Sequence, residues 1–363
     1  MTKQQVTSLF SGCGGLDIGF QQAGHDLIFA NDNDKAACET YQSNLDENIL
    51  CNEISSVTSK SIPDSDILIG GPPCQAFSMI GKRDYNDKNF NLIWNYLEIL
   101  KTKKPEKFLI ENVTGLRSAT NEDGKKVMEL LTRKIETLGY KVSTMILNAA
   151  DYGVPQRRKR LFIMGNLGAE PLEIPKPTHT QNPTDENPLK RWVSVKEALD
   201  DLPKPSYENE VLEYKTKVNS EYQKMMRKKS KKVHNHRIPK PSKLDAEIIK
   251  YVKEGGNYMD VPDHVPSNRI KKYKITGGRT TTYGRLKRNM PAYTINTYFD
   301  RPNVGCNIHY SQKRLISIRE GLRLQSFPDD FILSNEMSKR EQYKLVGNAV
   351  PPVLAYAIAK SFL

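Results

Sequence analysis

Short apolar runs that end in glycine- or proline-rich turns most constrain the fold of this chain. Residues 6–10 and 67–69 are such runs, and each reads as a buried strand; residues 107–110 are another apolar strand, which delivers Glu111 at its end. Helical apolar spacing follows at residues 16–23, 92–100 and 125–138. Further strands are predicted at residues 141–147 and 160–165. Strands and helices that alternate at this spacing predict an α/β fold with a doubly wound, mostly parallel sheet.

The first strand leads into a glycine-rich turn at residues 11–15, and the following helix is closed by Gly24. Glycines let a ligand approach the backbone, and a helix N-terminus offers free N–H groups to a negative group. A second strand at residues 27–30 delivers Asp32 about 20 residues after the loop, where a carboxylate can bind ribose hydroxyls. The pattern predicts a nucleotide-type ligand, although glycine-rich turns follow many strands.

Cys74 follows the apolar run 67–69 and the turn Gly70-Gly71-Pro72-Pro73. The two prolines fix φ and remove two backbone donors, so the turn has few alternative conformations. A thiol held in this way is a candidate nucleophile. A buried, inert cysteine is the alternative, because free cysteines usually pack as small hydrophobic residues.

The basic residues are concentrated in the middle of the chain. The formal net charge is +13, and residues 186–290 contain 25 Lys and Arg against 13 Asp and Glu, a difference of 12. This predicts contact with a polyanion, and a solvated basic face is the alternative. Prolines from residue 171 onward indicate a linker, and the glycine pairs after residue 254 indicate short irregular pieces without a capped helix-turn-helix.

The cysteine pattern and the hydropathy bear on location. Five cysteines are scattered without a CxxC pair, which suggests a reducing compartment and no structural metal. No run approaches the roughly 18 apolar residues that span a bilayer, and the N-terminus lacks a signal-peptide core. We therefore expect a cytoplasmic protein without a membrane contact.

Six blocks occur in an order that resembles the C5-cytosine DNA methyltransferases, of the bacterial type II modification kind. The resemblance covers roughly residues 4–180 and 283–363. The blocks are Phe10-Ser11-Gly12-Cys13-Gly14-Gly15, Pro73-Cys74-Gln75, Glu111-Asn112-Val113, Gln156-Arg157-Arg158-Lys159-Arg160, Arg319-Glu320 and Gly347-Asn348-Ala349-Val350.

The resemblance implies a Rossmann-like fold that binds S-adenosylmethionine and needs no metal. The implied cofactor residues are Phe10, Gly12, Gly14, Asp32, Glu53, Ile54, Pro73, Leu92, Asn348 and Val350. The family often has Glu where Asp32 stands and Asp where Glu53 stands, which changes the reach of each carboxylate by one methylene.

The resemblance also implies that Cys74 attacks C6 of a flipped cytosine while Glu111 binds N3 and Arg158 and Arg160 stabilise negative charge on the ring. Asn112 is expected to brace the turn before Cys74. The residues predicted to contact DNA are Gln75, Ser78, Lys82, Arg83, Arg279 and Arg285.

The implied organisation is discontinuous. Residues 1–185 form the first part of the catalytic domain, 186–338 a small irregular target-recognition domain and hinge, and 339–363 a helix that returns to the catalytic domain. The expected partners are double-stranded DNA, bound by a monomer, and a cognate restriction endonuclease that acts on the same sequence. The alternatives are an RNA methyltransferase and a DNA-binding protein without catalysis; a nicotinamide dehydrogenase would match only the first 35 residues.

Overall fold

Apolar runs of the first half of the chain form one central sheet. The computed structural model of the protein describes residues 3–45, 48–73, 92–121, 123–186, 188–208, 211–228 and 230–363. The sheet strands are β1 Gln5–Leu9, β2 Asp26–Asp32, β3 Ile49–Cys51, β4 Ile67–Gly70, β5 Lys107–Asn112, β6 Tyr140–Asn148 and β8 Lys159–Leu167. Their order is β3-β2-β1-β4-β5-β8-β6, and β8 alone in this sheet runs antiparallel to its neighbours. The predicted α/β fold with a mostly parallel sheet is confirmed.

Shorter strands and the helices complete the regular structure of the described residues. The two-residue strands are β7 Gln156–Arg157, β9 His179–Thr180, β10 Lys190–Arg191, β11 Leu212–Glu213, β12 Lys232–Val233 and β13 Ala292–Tyr293. The helices are α1 Gly15–Ala23, α2 Lys35–Asn44, α3 Leu92–Lys103, α4 Val127–Thr137, α5 Val195–Leu199, α6 Glu221–Arg227, α7 Lys243–Tyr251, α8 Asn268–Thr276, α9 Ile318–Leu324, α10 Lys339–Asn348 and α11 Pro352–Ala359.

Local sequence signals explain where the helices of the sheet region begin and end. Gly24 takes φ 103° after α1, and its N–H donates to main-chain carbonyls of the last turn, as a glycine C-cap does. α4 buries Val127, Leu131 and Ile135, which recur every four residues on one face. β4 is buried along its whole length, as expected for a central parallel strand covered on both faces.

Contacts divide the chain into two compact units. The first comprises Met1–Asn148, Lys159–Lys176 and Pro352–Leu363, and the second comprises Ala149–Arg158 and Pro177–Pro351. The chain therefore leaves the sheet unit and returns to it at the C-terminus, as the discontinuous organisation requires. The functional boundaries drawn from the sequence at residues 186 and 339 stay a prediction.

The returning helix α11 packs on α1. A Cβ added at Gly19 would lie 2.4 Å from the Ala355 Cβ, so only glycine permits this close helix pairing. The Phe20 and Phe362 rings are 5.4 Å apart in an edge-to-face arrangement. The sequence predicted this helix but not the element on which it packs, because an apolar helix face can pack on several surfaces.

The second unit has little sheet and contains a buried ionic cluster. Arg323 is fully buried and donates to both carboxylate oxygens of Asp329, at 2.5 and 2.6 Å, and to Asp201 at 2.9 and 3.2 Å. The nearby positive charge holds the pKa of Asp329 below its usual range, against the effect of burial. The cluster joins α9 to the residues after α5, where a removed partner would leave a buried charge uncompensated.

The structure joins two cysteines that the sequence left unpaired. Cys38 on α2 and Cys51 at the end of β3 form a disulfide, with their Cα atoms 5.9 Å apart. The sequence could not show the pair, because α2 and β3 meet only through packing on the sheet.

One stretch has the length and composition of a membrane span. Lys339–Phe362 passes this test, but 61% of its apolar window is buried inside the protein, as in a core helix. The stretch is also interrupted, since α10 ends at Asn348 and α11 begins at Pro352. Both features are those of helices that pack against their own chain.

Candidate active site

The glycine-rich loop after β1 has the unusual backbone that its sequence predicts. Phe10, Gly12 and Gly14 take φ values of 54°, 56° and 87°, in the left-handed region. A Cβ added at Gly12 would meet no atom within 4 Å, whereas one at Gly14 would lie 2.6 Å from the Leu45 Cδ1. Gly12 therefore borders open space that a ligand can approach, and Gly14 is required by packing beneath the loop.

Asp32 at the end of β2 is tied to the same loop. Its Oδ2 accepts a hydrogen bond from the Gly12 N–H at 2.8 Å, and its Oδ1 accepts one from the Asp34 N–H at 2.9 Å. Burial raises the pKa of the carboxyl, and these two N–H groups oppose that rise. An ionised carboxylate has about four acceptor positions, so Asp32 can hold the loop and still accept from a ligand hydroxyl.

Asp17 is a buried acid beneath the loop that the sequence analysis missed. It is fully buried on α1, and its Oδ1 accepts a hydrogen bond from the Tyr41 hydroxyl at 3.0 Å. Burial raises the pKa of Asp17 to about 6, although the Ser8 and Tyr41 hydroxyls act in the opposite direction. The sequence signal that could have indicated this buried acid was an aspartate among the apolar residues of α1.

The Cys13 thiol in the loop is not a candidate nucleophile. It is buried, and burial raises its pKa to about 12, helped by the negative charges of Asp32 and Asp17. The attacking species is the thiolate, which such a site disfavours at neutral pH. Cys13 therefore packs as a small apolar residue of the loop.

Three predicted cofactor residues contact one hydrophobic core. Ile54 is a buried member of the core, and Phe10 and Leu92 are partly buried against it. Glu53 precedes Ile54 and is exposed. Phe10 of the glycine-rich loop and Ile54 therefore contact the same hydrophobic core.

The turn before Cys74 is braced from β5. The Asn112 Nδ2 donates to the Pro72 carbonyl oxygen at 3.1 Å, in a buried hydrogen bond. A Cβ added at Gly71 would lie 3.2 Å from the Glu111 Oε2. The predicted bracing role of Asn112 is confirmed, and the turn passes directly beside the Glu111 carboxylate.

Glu111 and Arg160 form an ion pair at the end of β5. The Arg160 Nε lies 3.1 Å from the Glu111 Oε1, and the two side chains are 16% and 13% exposed. The antiparallel pairing of β5 with β8 brings these two side chains together. Glu111 lies opposite Phe162, and Arg160 is two residues before Phe162 on β8. Burial lowers the pKa of Arg160, and the charge of Glu111 opposes that shift. The site therefore offers one carboxyl group and one guanidinium beside the Gly71–Pro72 turn.

Comparisons with known proteins show which family this chain belongs to. The model of the C-5 cytosine-specific DNA methylase family matches residues 4–363. The chain belongs to this family. It is 35% identical to the type II methyltransferase M.NgoFVII of Neisseria gonorrhoeae, over 99% of this chain and 87% of that protein. It is 32% identical to the type II methyltransferase M.DdeI of Desulfomicrobium norvegicum, over 98% of this chain and 87% of that protein.

Solved structures share the fold of this methylase. A DNA modification methyltransferase encoded within an E. coli prophage has a TM-score of 0.74 at 24% identity, covering 99% of this chain and 98% of that one. The Dnmt2 methyltransferase of S. pombe has a TM-score of 0.59 at 18% identity, covering 99% of this chain and 98% of that one. The chain is thus a C-5 cytosine-specific DNA methyltransferase with the fold of this class.

Several predicted site residues of the methylase lie outside the described residues. They are Cys74, Gln75, Ser78, Lys82 and Arg83. Pro73 is the last described residue before them and is partly buried. The described structure that leads to Cys74 therefore consists of the braced turn, with the Glu111–Arg160 pair beside it.

The predicted role of Arg158 in stabilising negative charge on the ring stays a prediction. Arg158 belongs to the second unit, is fully buried, and donates to the carbonyl oxygens of Ile295 at 3.1 Å, Gly347 at 2.9 Å and Asn348 at 3.2 Å. These bonds hold the main chain around Gly347, so they support a structural role for Arg158. The predicted cofactor residues Asn348 and Val350 lie in that same unit.

The two arginines predicted to contact DNA differ sharply. Arg285 is buried, and its guanidinium donates to four main-chain carbonyls, of Val252, Ile249, His309 and Gln312. A group engaged in this way holds the second unit together, so the geometry does not support DNA contact by Arg285. Arg279 is exposed and stays a predicted DNA contact.

Within the described residues no group of three or more His, Cys, Asp or Glu side chains could hold a metal ion. The titratable groups of the site are instead Asp17 and Asp32 at the glycine-rich loop and Glu111 with Arg160 near the turn. Two carboxylates therefore lie at the glycine-rich loop, and one ion pair lies near the Gly71–Pro72 turn.

Proposed function

We propose that this methylase transfers a methyl group from S-adenosylmethionine to C5 of a cytosine that is flipped out of a specific duplex DNA sequence. Cys74 adds covalently to C6 in this reaction. The observation that carries the proposal is the Glu111–Arg160 pair, 3.1 Å apart, beside the turn that leads to Cys74. These are the groups that activation of a cytosine ring requires.

Cytosine C5 is too weak a nucleophile to accept a methyl group unaided, so electrons must first enter the ring. The Cys74 thiolate adds to C6, and negative charge develops toward N3 and O2. Glu111 in its protonated form donates to N3, and Arg160 stabilises both the carboxylate that remains and the charge at O2. C5, now electron-rich, takes the methyl group, after which the C5 proton leaves to a base, N3 returns its proton to Glu111 and the thiolate departs by elimination.

The glycine-rich loop fits the proposed cofactor. The open space beside Gly12 admits a ligand, Asp32 has acceptor capacity left for ribose hydroxyls, and Phe10 presents an aromatic ring. When bound there, S-adenosylmethionine supplies the methyl group from its sulfonium. The buried carboxyl groups of Asp17 and Asp32 favour a ligand of net positive charge in their vicinity.

The DNA substrate requires base flipping. The target ring is inaccessible inside a duplex, and extrusion costs a few kcal/mol of unstacking and unpairing. Contacts of basic residues with phosphates offset this cost, and residues 186–290 supply most of the excess positive charge. We propose that the enzyme acts as a monomer in the cytoplasm and modifies a sequence that a cognate endonuclease cuts.

A covalent trap tests the proposal. Fluorine cannot leave C5 as a cation, so a duplex with 5-fluorocytosine at the target position should accumulate a protein–DNA adduct in the presence of S-adenosylmethionine. Cys74→Ser should form no adduct and transfer no methyl group while still binding the cofactor, because a hydroxyl is a far weaker nucleophile at neutral pH.

Matched controls use the other free cysteines of the described residues, Cys13 and Cys306, both of which are buried. Cys13→Ser and Cys306→Ser should keep adduct formation. An adduct mapped to either of these cysteines, or measurable turnover by Cys74→Ser, would refute the covalent role of Cys74.

A further inference from the structure

A long stretch of the second unit carries positive charge without any acid. Between Asp263 and Asp300 the sequence contains no Asp or Glu and eight Lys or Arg residues. Helix α8 begins this stretch and contributes Arg269, Lys271, Lys272 and Lys274 from nine residues. The glycine pairs after residue 254 predicted irregular structure, so α8 was not expected from the sequence.

The helix is fixed to the second unit along one side. Ile270 is buried in a hydrophobic cluster, and Tyr273 packs against the same cluster. The Lys274 Nζ donates to the Val261 carbonyl oxygen and to Asp263, both at 2.6 Å. The Ser267 side chain caps the N-terminus. These contacts attach one side of α8 to the rest of the second unit.

The other side of α8 faces solvent. Asn268, Lys271, Lys272 and Ile275 are exposed and follow the i, i+3, i+4, i+7 spacing of one helix face. We call these four residues the α8 face. Ile275 is 85% exposed. A solvated surface explains exposed lysines, but it does not explain an isoleucine held outward among them.

The turn after α8 continues the basic surface. The Tyr258 hydroxyl accepts from the Gly278 N–H at 2.8 Å, and a Cβ added at Gly278 would lie 3.0 Å from the Tyr273 ring. The turn is therefore pinned close to the helix, and the next residue, Arg279, is exposed. A phosphate-binding cation thus follows the end of α8 directly.

We propose that the α8 face enters the major groove of the duplex and reads base edges there. This inference rests on the proposed function, since it assumes a duplex DNA substrate. An α-helix is about 10–12 Å wide with its side chains, and the major groove is about 12 Å wide. Asn can bind adenine through two hydrogen bonds, Lys can donate to guanine O6 and N7, and an apolar side chain contacts the thymine methyl group.

The absence of acids argues for DNA as the occupant. Of the eight cations between residues 264 and 299, Arg285 is buried and two others bond to acids outside this stretch. The remaining five are exposed and complement a polyanion, whereas a protein partner of mixed charge would gain little from them. Lysines alone would provide phosphate contact without sequence information. Asn268 and Ile275 add an amide and an alkyl group, which are the groups that distinguish base pairs.

The test measures sequence discrimination. The parent is expressed in cells that lack cytosine methylation, and bisulfite sequencing of their DNA defines its target. Initial methylation rates are then measured on the target duplex and on duplexes that each differ from it by one base pair. The variants are Asn268→Ala, Lys272→Gln and Ile275→Ala. Lys224→Gln and Met225→Ala are matched controls, because both residues are exposed on α6.

We expect each α8 variant to lose about 5–150-fold of its preference for the target over one of the changed duplexes. Thermal unfolding and S-adenosylmethionine affinity should match the parent, since the changed side chains are exposed. The α6 controls should keep full discrimination.

Two results would overturn the inference while leaving the proposed function intact. Unchanged discrimination by every α8 variant would show that the face reads no base. An equal loss of rate on all duplexes, with a shallower salt dependence, would show phosphate contact only. A parent that methylates no cytosine would instead reject the proposed function, and this inference with it.

Discussion

Replacement of Asp17 by Asn should stabilise the first unit at neutral pH. Asp17 is fully buried on α1, and burial raises its pKa from 3.8 to about 6. An Asn at this position has nearly the same shape, and its carbonyl oxygen can still accept the hydrogen bond that the Tyr41 hydroxyl donates at 3.0 Å. The substitution therefore removes the charge with little change of packing.

The expected effect follows from the two pKa values. Below pH 3.8 the carboxyl is protonated in both folded and unfolded chains, so burial of a charge costs nothing. As the pH rises toward about 6 the unfolded chain ionises first, so the folded state binds more protons and stability falls. Each pKa unit is worth about 1.4 kcal/mol, so the full loss is about 3 kcal/mol and is present above pH 6. Asp17→Asn should avoid this loss.

The assay is urea unfolding of parent and variant between about pH 4 and pH 7.5, where the free energy difference should shift by about 2–3 kcal/mol in favour of the variant. The chain has two tryptophans, Trp94 in the first unit and Trp192 in the second. Fluorescence of Trp94 in a Trp192→Phe background reports on the unit that contains Asp17. Asp26→Asn is the control, because Asp26 is exposed. A difference that does not vary with pH would refute the argument that a buried charge is responsible.

Three further predictions concern the ligands and the turn. Asp32→Ala should weaken S-adenosylmethionine binding by about 1–3 kcal/mol, since a ribose hydroxyl would lose its acceptor; equal affinity by calorimetry would reject that contact. Asn112→Ala should lower kcat with little change in cofactor affinity, because the Pro72 carbonyl loses its 3.1 Å hydrogen bond; steady-state kinetics with unchanged kcat would contradict this. Affinity for a mixed-sequence duplex should fall steeply between about 50 and 200 mM salt, and a nearly flat response in fluorescence anisotropy would rule out extensive phosphate contact.

The sheet unit could be predicted because its signals are local. The apolar runs and the glycine C-cap at Gly24 each act within a few residues, and the order of strands and helices follows from them. Asp32 lies at a strand end, where the carboxyl edge of a parallel sheet collects functional groups. The bracing of the turn by Asn112 was also correctly expected. What the sequence could not give is that the Gly12 N–H already occupies one oxygen of Asp32.

The second unit was harder to predict because long-range packing determines it. Helices α7 and α8 begin directly after Ser242 and Ser267, and each serine side chain caps its helix. The serine with Asp245 three residues later was a readable start signal for α7. The nearby glycine pairs instead favoured the prediction of irregular structure, although Gly277 and Gly278 end α8 and do not prevent it from forming.

Arginines were the least predictable residues, since their charge suggests solvent or DNA whatever their burial. Arg285 was expected to contact DNA, but it is buried and donates to main-chain carbonyls. Arg323 is likewise buried, against Asp329. Guanidinium has five donors in a fixed plane, which lets one side chain join several distant carbonyls. Nothing in the neighbouring sequence marks that use.

These internal arginines also change what the charge of the recognition region means. If all 12 excess charges of residues 186–290 met phosphates, the logarithm of affinity would fall with the logarithm of salt concentration with a slope of about −11. Arg285 is buried, Lys274 bonds to Asp263 at 2.6 Å, and Arg288 bonds to Glu254 at 2.8 Å. Cations that are occupied in this way release few counterions when DNA binds. The measured slope should therefore be clearly shallower than −11, and substitutions on the exposed α8 face should account for a larger share of it than the formal count suggests.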